Sequence, residues 1–226
     1  KDKIAMNKLA AAITFTSQGT PFLQAGEEFL RSKPVKNKEE KYSANSYNLP
    51  DSVNSLKWDT LSEHKDVYEY YKGLIAFRKE HKSLRMTEAK DVQDNLVFQD
   101  TSGKGSVIAY TIENSLNGEV AEEIMVVYNG NAEDVEIALP DKDTWSIYIN
   151  GEKAGTEPIE EVTGSVHVDK ISTVVLVKES QKSKALKVLQ KTDLCIYLSL
   201  GIAVLLVLIC IFFFHNNKEK GDEKDR

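Results

Sequence analysis

The stretch GTPFLQAGEEFLRSKPVKNKEEKYSANSYNLPDSVNSLKW, Gly19 to Trp58, decides how the rest of the chain is read. A short apolar run, Thr20 to Ala25, ends in Gly26-Glu27-Glu28, and a long polar loop then carries Asn45, Tyr47, Asn48, Asp51 and Asn54. In parallel α/β folds a buried strand delivers the chain to its carboxyl end, where the following loop presents polar groups to a ligand. On the N-terminal side, Asp2 to Ser17 reads as a helix, with Met6, Leu9, Ala10 and Ile13 at helical spacing and alanines favouring the state. Gly19 is placed to end it, and Pro21 is tolerable at the first positions of a strand. Helix, turn and buried strand make one αβ unit.

On the C-terminal side, the loop from Arg31 to Asp59 exceeds the usual length of a structureless connection, about 12 to 15 residues, which points to function or disorder. Its first half, Ser32 to Lys41, is charged and expected to be mobile. Its second half mixes amides, a carboxylate and an aromatic, the groups that hydrogen-bond sugar hydroxyls and stack on sugar faces. The same residues are ordinary turn formers, so ligand contact and turn chemistry both stay open. Glu27 and Glu28 alone read as a solvated pair. Thr60-Leu61-Ser62-Glu63 fits a capping box, opening a helix to about His81 with Val67, Tyr71, Leu74 and Ile75 on one face. Gly73 inside it costs about 1 kcal/mol relative to alanine and is explained by close packing.

From Thr87 the period becomes two. Asn95 to Asp100, Ser106 to Ile112, Glu123 to Tyr128, Val135 to Leu139, Trp145 to Ile149, Ser165 to Val168 and Ser172 to Lys178 are the expected strands. Turn signals such as Asn117-Gly118, Asn129-Gly130 and Asn150-Gly151 separate them. That spacing predicts an antiparallel β-sandwich over residues 83–178. Trp145, Tyr148 and Tyr110 are expected in its core rather than as a sugar platform.

Charge marks the remaining boundaries. Residues 1–180 hold 21 Lys and Arg against 30 Asp and Glu, a net of −9 that argues against a nucleic-acid partner. Residues 179–193 form a basic stalk with Lys182, Lys184, Lys187 and Lys191. Leu194 to Phe214 then has no charged residue, and a helix of that length spans about 31 Å, enough to cross a bilayer. Residues 215–226 are a charged tail. Basic residues flank the span equally, so the positive-inside rule gives no orientation. Cys195 and Cys210 both lie in the span, which excludes a disulfide framework, and His64, His81, His167 and His215 are scattered, so no metal site is expected. The chain starts at Lys1, and truncation at its N-terminus is expected.

Gly19 to Phe29, Asn45 to Asn48, and Pro50 to Asn54 with Trp58 closely resemble type I pullulanases, members of the α-amylase family of glycoside hydrolases, family 13. Tyr71 to His81 is similar to the last barrel helix of those enzymes, and Ile124 to Gly130 to their C-terminal β domain. The resemblance implies a mixed fold, α/β plus all-β: the C-terminal end of a (β/α)₈ TIM barrel followed by an antiparallel β-sandwich and one transmembrane helix. Residues 1–82 would hold helix 7, strand 8, the rim loop and helix 8. It also implies retaining hydrolysis of α-1,6 linkages by an aspartate nucleophile and a glutamate acid/base, from barrel strands that no segment here resembles. No catalytic residue is therefore assigned, and the chain alone is expected to be inactive. Glu28, Asn45, Tyr47, Asn48 and Asp51 are the implied substrate contacts, with an α-glucan such as pullulan, starch or glycogen branches as partner. No cofactor is evident, and calcium is compatible with the intact enzyme. Leu189 to Asp193 is similar to the sortase signal Leu-Pro-x-Thr-Gly, with Gln190 and Asp193 departing from it, so retention as an anchor with the soluble part outside a Gram-positive-like cell is favoured. The alternative is a non-catalytic, membrane-tethered β-sandwich that binds glucan or a protein.

Overall fold

The computed structural model describes residues 2–35, 45–113 and 121–179. The segment 36–44 of the charged half-loop, the Asn117-Gly118 turn, the stalk from residue 180, the apolar run 194–214 and the tail lie outside the described residues. No helix among the described residues is long and apolar enough to cross a membrane.

Two long helices come first, α1 (Asp2–Thr16) and α4 (Lys65–Glu80), separated by the rim with its one-turn helices α2 (Asp51–Asn54) and α3 (Thr60–Glu63). A further short helix, α5 (Ala89–Asn95), leads into the strands β1 (Leu96–Phe98), β2 (Val107–Glu113), β3 (Ala121–Asn129), β4 (Val135–Ala138), β5 (Trp145–Ile149), β6 (Glu160–Val162), β7 (Ser165–Val168) and β8 (Ser172–Glu179). Six strands form an antiparallel sheet in the order β1-β2-β3-β8-β5-β6, and β4 and β7 pair as a separate ribbon.

The sandwich expectation holds for one face of the large sheet. There Met125, Val127, Val174, Leu176, Trp145 and Ile147 pack against Ile137, Val166 and Val168 of the ribbon. Among the described residues, no strand covers the other face. Ile112, Ile124, Val126, Val175 and Val177 pack instead against Ala11, Ala12 and Phe15 of α1 and Val67, Leu74 and Phe77 of α4. Because both faces are covered, Ile124 to Asn129 are buried without alternation, and so are Ser172 to Val177. Helices and sheet accordingly belong to one unit, Lys1–Glu179.

Several local expectations are corrected. The buried stripe of α1 is Lys8, Ala11, Ala12, Phe15 and Thr16, whereas Met6 and Ile13 are exposed. An alanine-rich helix offers more than one apolar face, and packing chose the one that carries Ala11, Ala12 and Phe15. Thr20 to Gln24 has no regular secondary structure and pairs with no described strand, Ala25 begins a turn, and Phe22 is 94% exposed. A β conformation is held by its neighbours' hydrogen bonds, and none of the described strands lies beside this segment to supply them. The helix from residue 60 is broken at His64, and the Thr60 hydroxyl donates to the Lys57 carbonyl at 2.7 Å, so no capping box forms. The strand expected from Asn95 shortens to Leu96–Phe98 because Ala89–Asn95 is helical. Trp145, Tyr148 and Tyr110 are buried in the core.

Where α1 meets the sheet, polar groups are satisfied in a chain. The Thr16 hydroxyl lies 2.6 Å from the Tyr128 hydroxyl, and Tyr110 donates to the Thr16 carbonyl at 2.9 Å. Arg78 of α4 donates to the carbonyls of Phe15 (2.7 Å), Ser17 (2.8 Å) and Gly19 (2.5 Å), closing the C-terminus of α1 in place of a helix cap. Gln18 adds a second tie, donating to the Ser83 carbonyl at 2.8 Å and accepting the Met86 N–H at 3.1 Å.

At the sheet's other side Lys178 lies over the Trp145 ring and pairs with Asp141 at 2.9 Å and Glu123 at 3.2 Å. Burial opposes the ammonium form, yet these hydrogen bonds and charges outweigh it and raise the Lys178 pKa. For Asp141, burial acts upward, but the bonds from Lys178 and Trp145 bring its pKa below the usual value. A lysine raised in the folded state contributes stability present below its unfolded pKa and lost as pH rises through the folded one. A lowered aspartate contributes stability present above its unfolded pKa and lost as pH falls through the folded one. Lys178→Met is therefore expected to lower stability by about 2 kcal/mol, the size of a hydrogen bond to a charged group. The deficit should stay flat from about pH 5 to 10 and shrink outside that window. A deficit that grew on acidification in urea titrations would contradict this assignment.

Candidate functional site

The rim is assembled by backbone turns first and side chains second. Gly26 takes a left-handed conformation (φ 98°), which turns the chain into a 3₁₀ turn, Glu27–Phe29. A Cβ on Gly26 would sit 2.7 Å from both Cβ and Cδ of Arg31, so the residue must also be small. The two glutamates fold back on this turn. Glu27 Oε1 accepts the Gln24 N–H at 3.3 Å, and Glu28 Oε2 accepts the Gly26 N–H at 2.9 Å.

Arg31 joins the two halves of the rim. Its guanidinium donates to the Ala25 carbonyl at 3.0 Å and to the Asn54 carbonyl, tying the turn that carries Glu28 to the end of α2, which carries Asp51. Asn54 in turn donates to the carbonyls of Ser46 (2.6 Å) and Leu49 (2.8 Å), stapling the segment with Tyr47 and Asn48. Asn45, Tyr47, Asn48 and Asp51 are all exposed, Tyr47 at 85%, while Glu28 is half-buried. Beneath the rim, Phe29 is buried against Trp58 with ring centroids 5.4 Å apart.

The sequence named Asn54 as a loop residue but not the two carbonyls its amide donates to, and it gave Arg31 no role. A basic residue just after a Gly-Glu-Glu turn, facing a second turn-rich segment, was the available signal. Because both guanidinium bonds go to backbone carbonyls, Arg31→Met should free the segment between them. Chymotrypsin cleavage after Tyr47 is expected to quicken about tenfold, matching a loss near 1.4 kcal/mol in closure. An unchanged digestion rate with a normal melting temperature would remove Arg31 from this role.

Behind the turn, Leu23, Gln24, Ala25 and Glu28 with Tyr68, Tyr71, Lys72 and Ile75 of α4 line an open cleft of about 430 Å³. Burial, reinforced by the charges of Glu27 and Glu28 and opposed by a hydrogen bond with Asn7, pushes the Tyr71 hydroxyl up to about 12. It is a neutral donor at ordinary pH. The rim thus presents hydrogen-bond acceptors, amides and an exposed ring, and one carboxylate oxygen of each of its glutamates is engaged in holding the turn.

The family model for the pullulanase all-beta domain matches residues 92–153. The likeness is not confined to that domain. The pullulanase of Bacillus subtilis (strain 168) is 31% identical over 174 residues, 77% of this chain and 23% of that protein. The solved pullulanase from Bacillus acidopullulyticus superposes with a TM-score of 0.71 at 36% identity, over 78% of this chain and 20% of that one. The chain belongs with the C-terminal part of type I pullulanases. An isoamylase of Pseudomonas amyloderamosa is a further relative, 32% identical over 141 residues, 57% of this chain and 17% of that protein. The chain spans about a quarter or less of the length of these relatives. The Bacillus subtilis pullulanase has been solved with maltose, with a TM-score of 0.69 to this chain, and that of Anoxybacillus sp. LM18-11 with maltotriose, at 0.65.

Proposed function

We propose that the chain is the C-terminal portion of a membrane-anchored extracellular glycoside hydrolase that cleaves α-1,6-glucosidic linkages in pullulan and branched α-glucans with retention. The observation that carries this reading is the extent of the pullulanase likeness, which covers 78% of this chain at 36% identity and so reaches well beyond the all-beta domain at residues 92–153. In this reading the helices and rim close a (β/α)₈ barrel whose other strands supply the catalytic carboxylates, and retention requires those carboxyls to lie about 5 Å apart. Glu27 and Glu28 are not that pair, since each is bound to its own turn. Tyr47 offers a ring to a sugar face, and Asn45, Asn48, Asp51 and Glu28 offer hydrogen bonds to hydroxyls at the cleft's edge. The apolar run 194–214 is the anchor, with residues 1–179 outside the cell.

A chimera tests the assignment. The matching 23% of the Bacillus subtilis pullulanase is replaced by residues 1–179 of this chain. The chimera should release reducing sugar from pullulan, while the 226-residue chain alone should not. Tyr47→Ala and Asp51→Ala should each lower kcat/KM about tenfold, equivalent to 1.4 kcal/mol of transition-state binding. A chimera that folds with a sharp melting transition but leaves pullulan intact would overturn the reading. Labelling of intact cells that reached the 215–226 tail and not the sheet would reverse the topology.

A further inference from the structure

The geometry points to a divalent-metal site of the zinc class on the outer face of the β4–β7 ribbon, with Asp134, His167 and Asp169 as ligands and Glu136 orienting the imidazole. The ribbon's register makes the cluster. Glu136 and His167 are directly opposed partners, Asp134 precedes Glu136 by two and Asp169 follows His167 by two, so period-two alternation sets all four on one side. Ile137, Val166 and Val168 take the other side, in the core, which fixes the ribbon's facing.

The distances fit a shared ion better than direct bonding. His167 Nε2 lies 3.6 Å from Asp134 Oδ2 and 3.5 Å from Asp169 Oδ1, and these three donor atoms all lie within 4.8 Å of one another. A heavy-atom separation of about 3.6 Å is too long for a hydrogen bond. It is close to the edge of a tetrahedron around zinc, about 3.4 Å for metal–donor bonds of about 2.1 Å. On the ring's far side Nδ1 lies 3.5 Å from Glu136 Oε2, an ion-pair contact rather than a hydrogen bond, whose attraction holds the Nδ1 edge toward that carboxylate and leaves Nε2 to the two aspartates.

The second oxygens of two of these carboxylates are already held, which aims the first. Asp134 Oδ1 accepts the Lys170 N–H at 2.8 Å, and Glu136 Oε1 accepts the Ser165 hydroxyl at 2.7 Å. The fully buried Asn129 amide donates to the carbonyls of Glu133 (2.9 Å) and Asp169 (3.0 Å), pinning the two chain segments from which Asp134 and Asp169 project. Three carboxylates thus converge on one imidazole, and the nearby Lys104 ammonium is engaged with the Glu136 carbonyl at 2.8 Å. A nitrogen donor among carboxylates suits zinc, cobalt or nickel over calcium or magnesium, which take oxygen ligands. The four side chains are all more than half exposed, leaving coordination positions to water.

The test is calorimetric titration of the full 226-residue chain in detergent with zinc chloride, alongside nitrogen-15 spectra of its histidine rings. One equivalent should bind that His167→Ala lacks, the His167 Nε2 resonance should shift on binding, and Glu136→Gln should weaken the site about tenfold. Because Cys195 and Cys210 can also take zinc, the comparison with His167→Ala and the ring spectra decide. Equal zinc binding by His167→Ala, an unshifted His167 ring in the presence of bound zinc, or displacement of the ion by equimolar calcium would overturn the assignment.

Discussion

Replacing Arg78 with methionine is expected to lower the stability of the chain by about 3–5 kcal/mol, a large fraction of what such a unit possesses. Arg78 is 5% exposed, and its guanidinium is the shared donor for three carbonyls at the end of α1. Methionine fills the volume of the stem but leaves those acceptors without a donor, each costing about 1–3 kcal/mol if it stays dry. Burial, and next the like charge of Arg85, press the Arg78 pKa down, yet an arginine stays charged in proteins, so the donors are present at any working pH. Lysine at this position keeps the charge but not the planar fork that reaches three acceptors, and should recover part of the loss. Urea unfolding measures all three proteins. A methionine variant within 1 kcal/mol of the parent would mean that water replaces the guanidinium and that α1 is not capped through Arg78.

Gly73→Ala is the second large effect, and its sign opposes helix propensity. Alanine in a helix interior is worth about 1 kcal/mol over glycine. Here a Cβ would meet the Ala154 carbonyl oxygen at 1.9 Å and its carbon at 2.4 Å, both main-chain atoms in the connection after β5. Such overpacking costs about 3 kcal/mol, because α4 must lift off the sheet, so a net loss of about 2 kcal/mol is expected. Since the contact is with backbone, adding Ala154→Gly should not rescue it. Thermal unfolding of the single and double variants checks this, and a stabilised Gly73→Ala protein would refute the close approach.

The family was legible because its marks are local: a run such as Gly19 to Phe29 is recognisable whatever surrounds it. The strands from β2 to β5 were also legible, since each carries its β-branched residues and turn signals within a few positions. What escaped was decided between elements. Nothing in the period of α1 says that Ala11, Ala12 and Phe15 face the sheet while Met6 and Ile13 do not; the partner surface decides. The strand expected at Thr20 to Ala25 needed neighbours for its backbone groups, and its composition could not reveal that none of the described strands lies beside it. At the rim, the residue types were apparent, but the latch was not, because Arg31 acts across 23 positions on a carbonyl that has no identity in sequence. His167 was read as a lone histidine because Asp134 and Glu136 reach it only through the pairing of β4 with β7.

Burial of β3 and β8 on both faces raises a problem of alignment. In a sheet with one wet face, a slip by one residue puts apolar side chains into water, and the pattern polices itself. Between two dry layers the same slip merely exchanges one apolar set for another. The discrimination must then come from buried polar groups whose partners exist on one side only. Tyr128 opposes Thr173 and finds Thr16 on the helical side, while the neighbouring pair, Asn129 and Ser172, sits where the Asn129 amide finds the Val168 and Asp169 carbonyls. Shifted by one, each would be sealed away from its acceptor at about 1–3 kcal/mol apiece. These adjacent residues work as a key with teeth on both edges, and the sheet locks in the one setting where both engage.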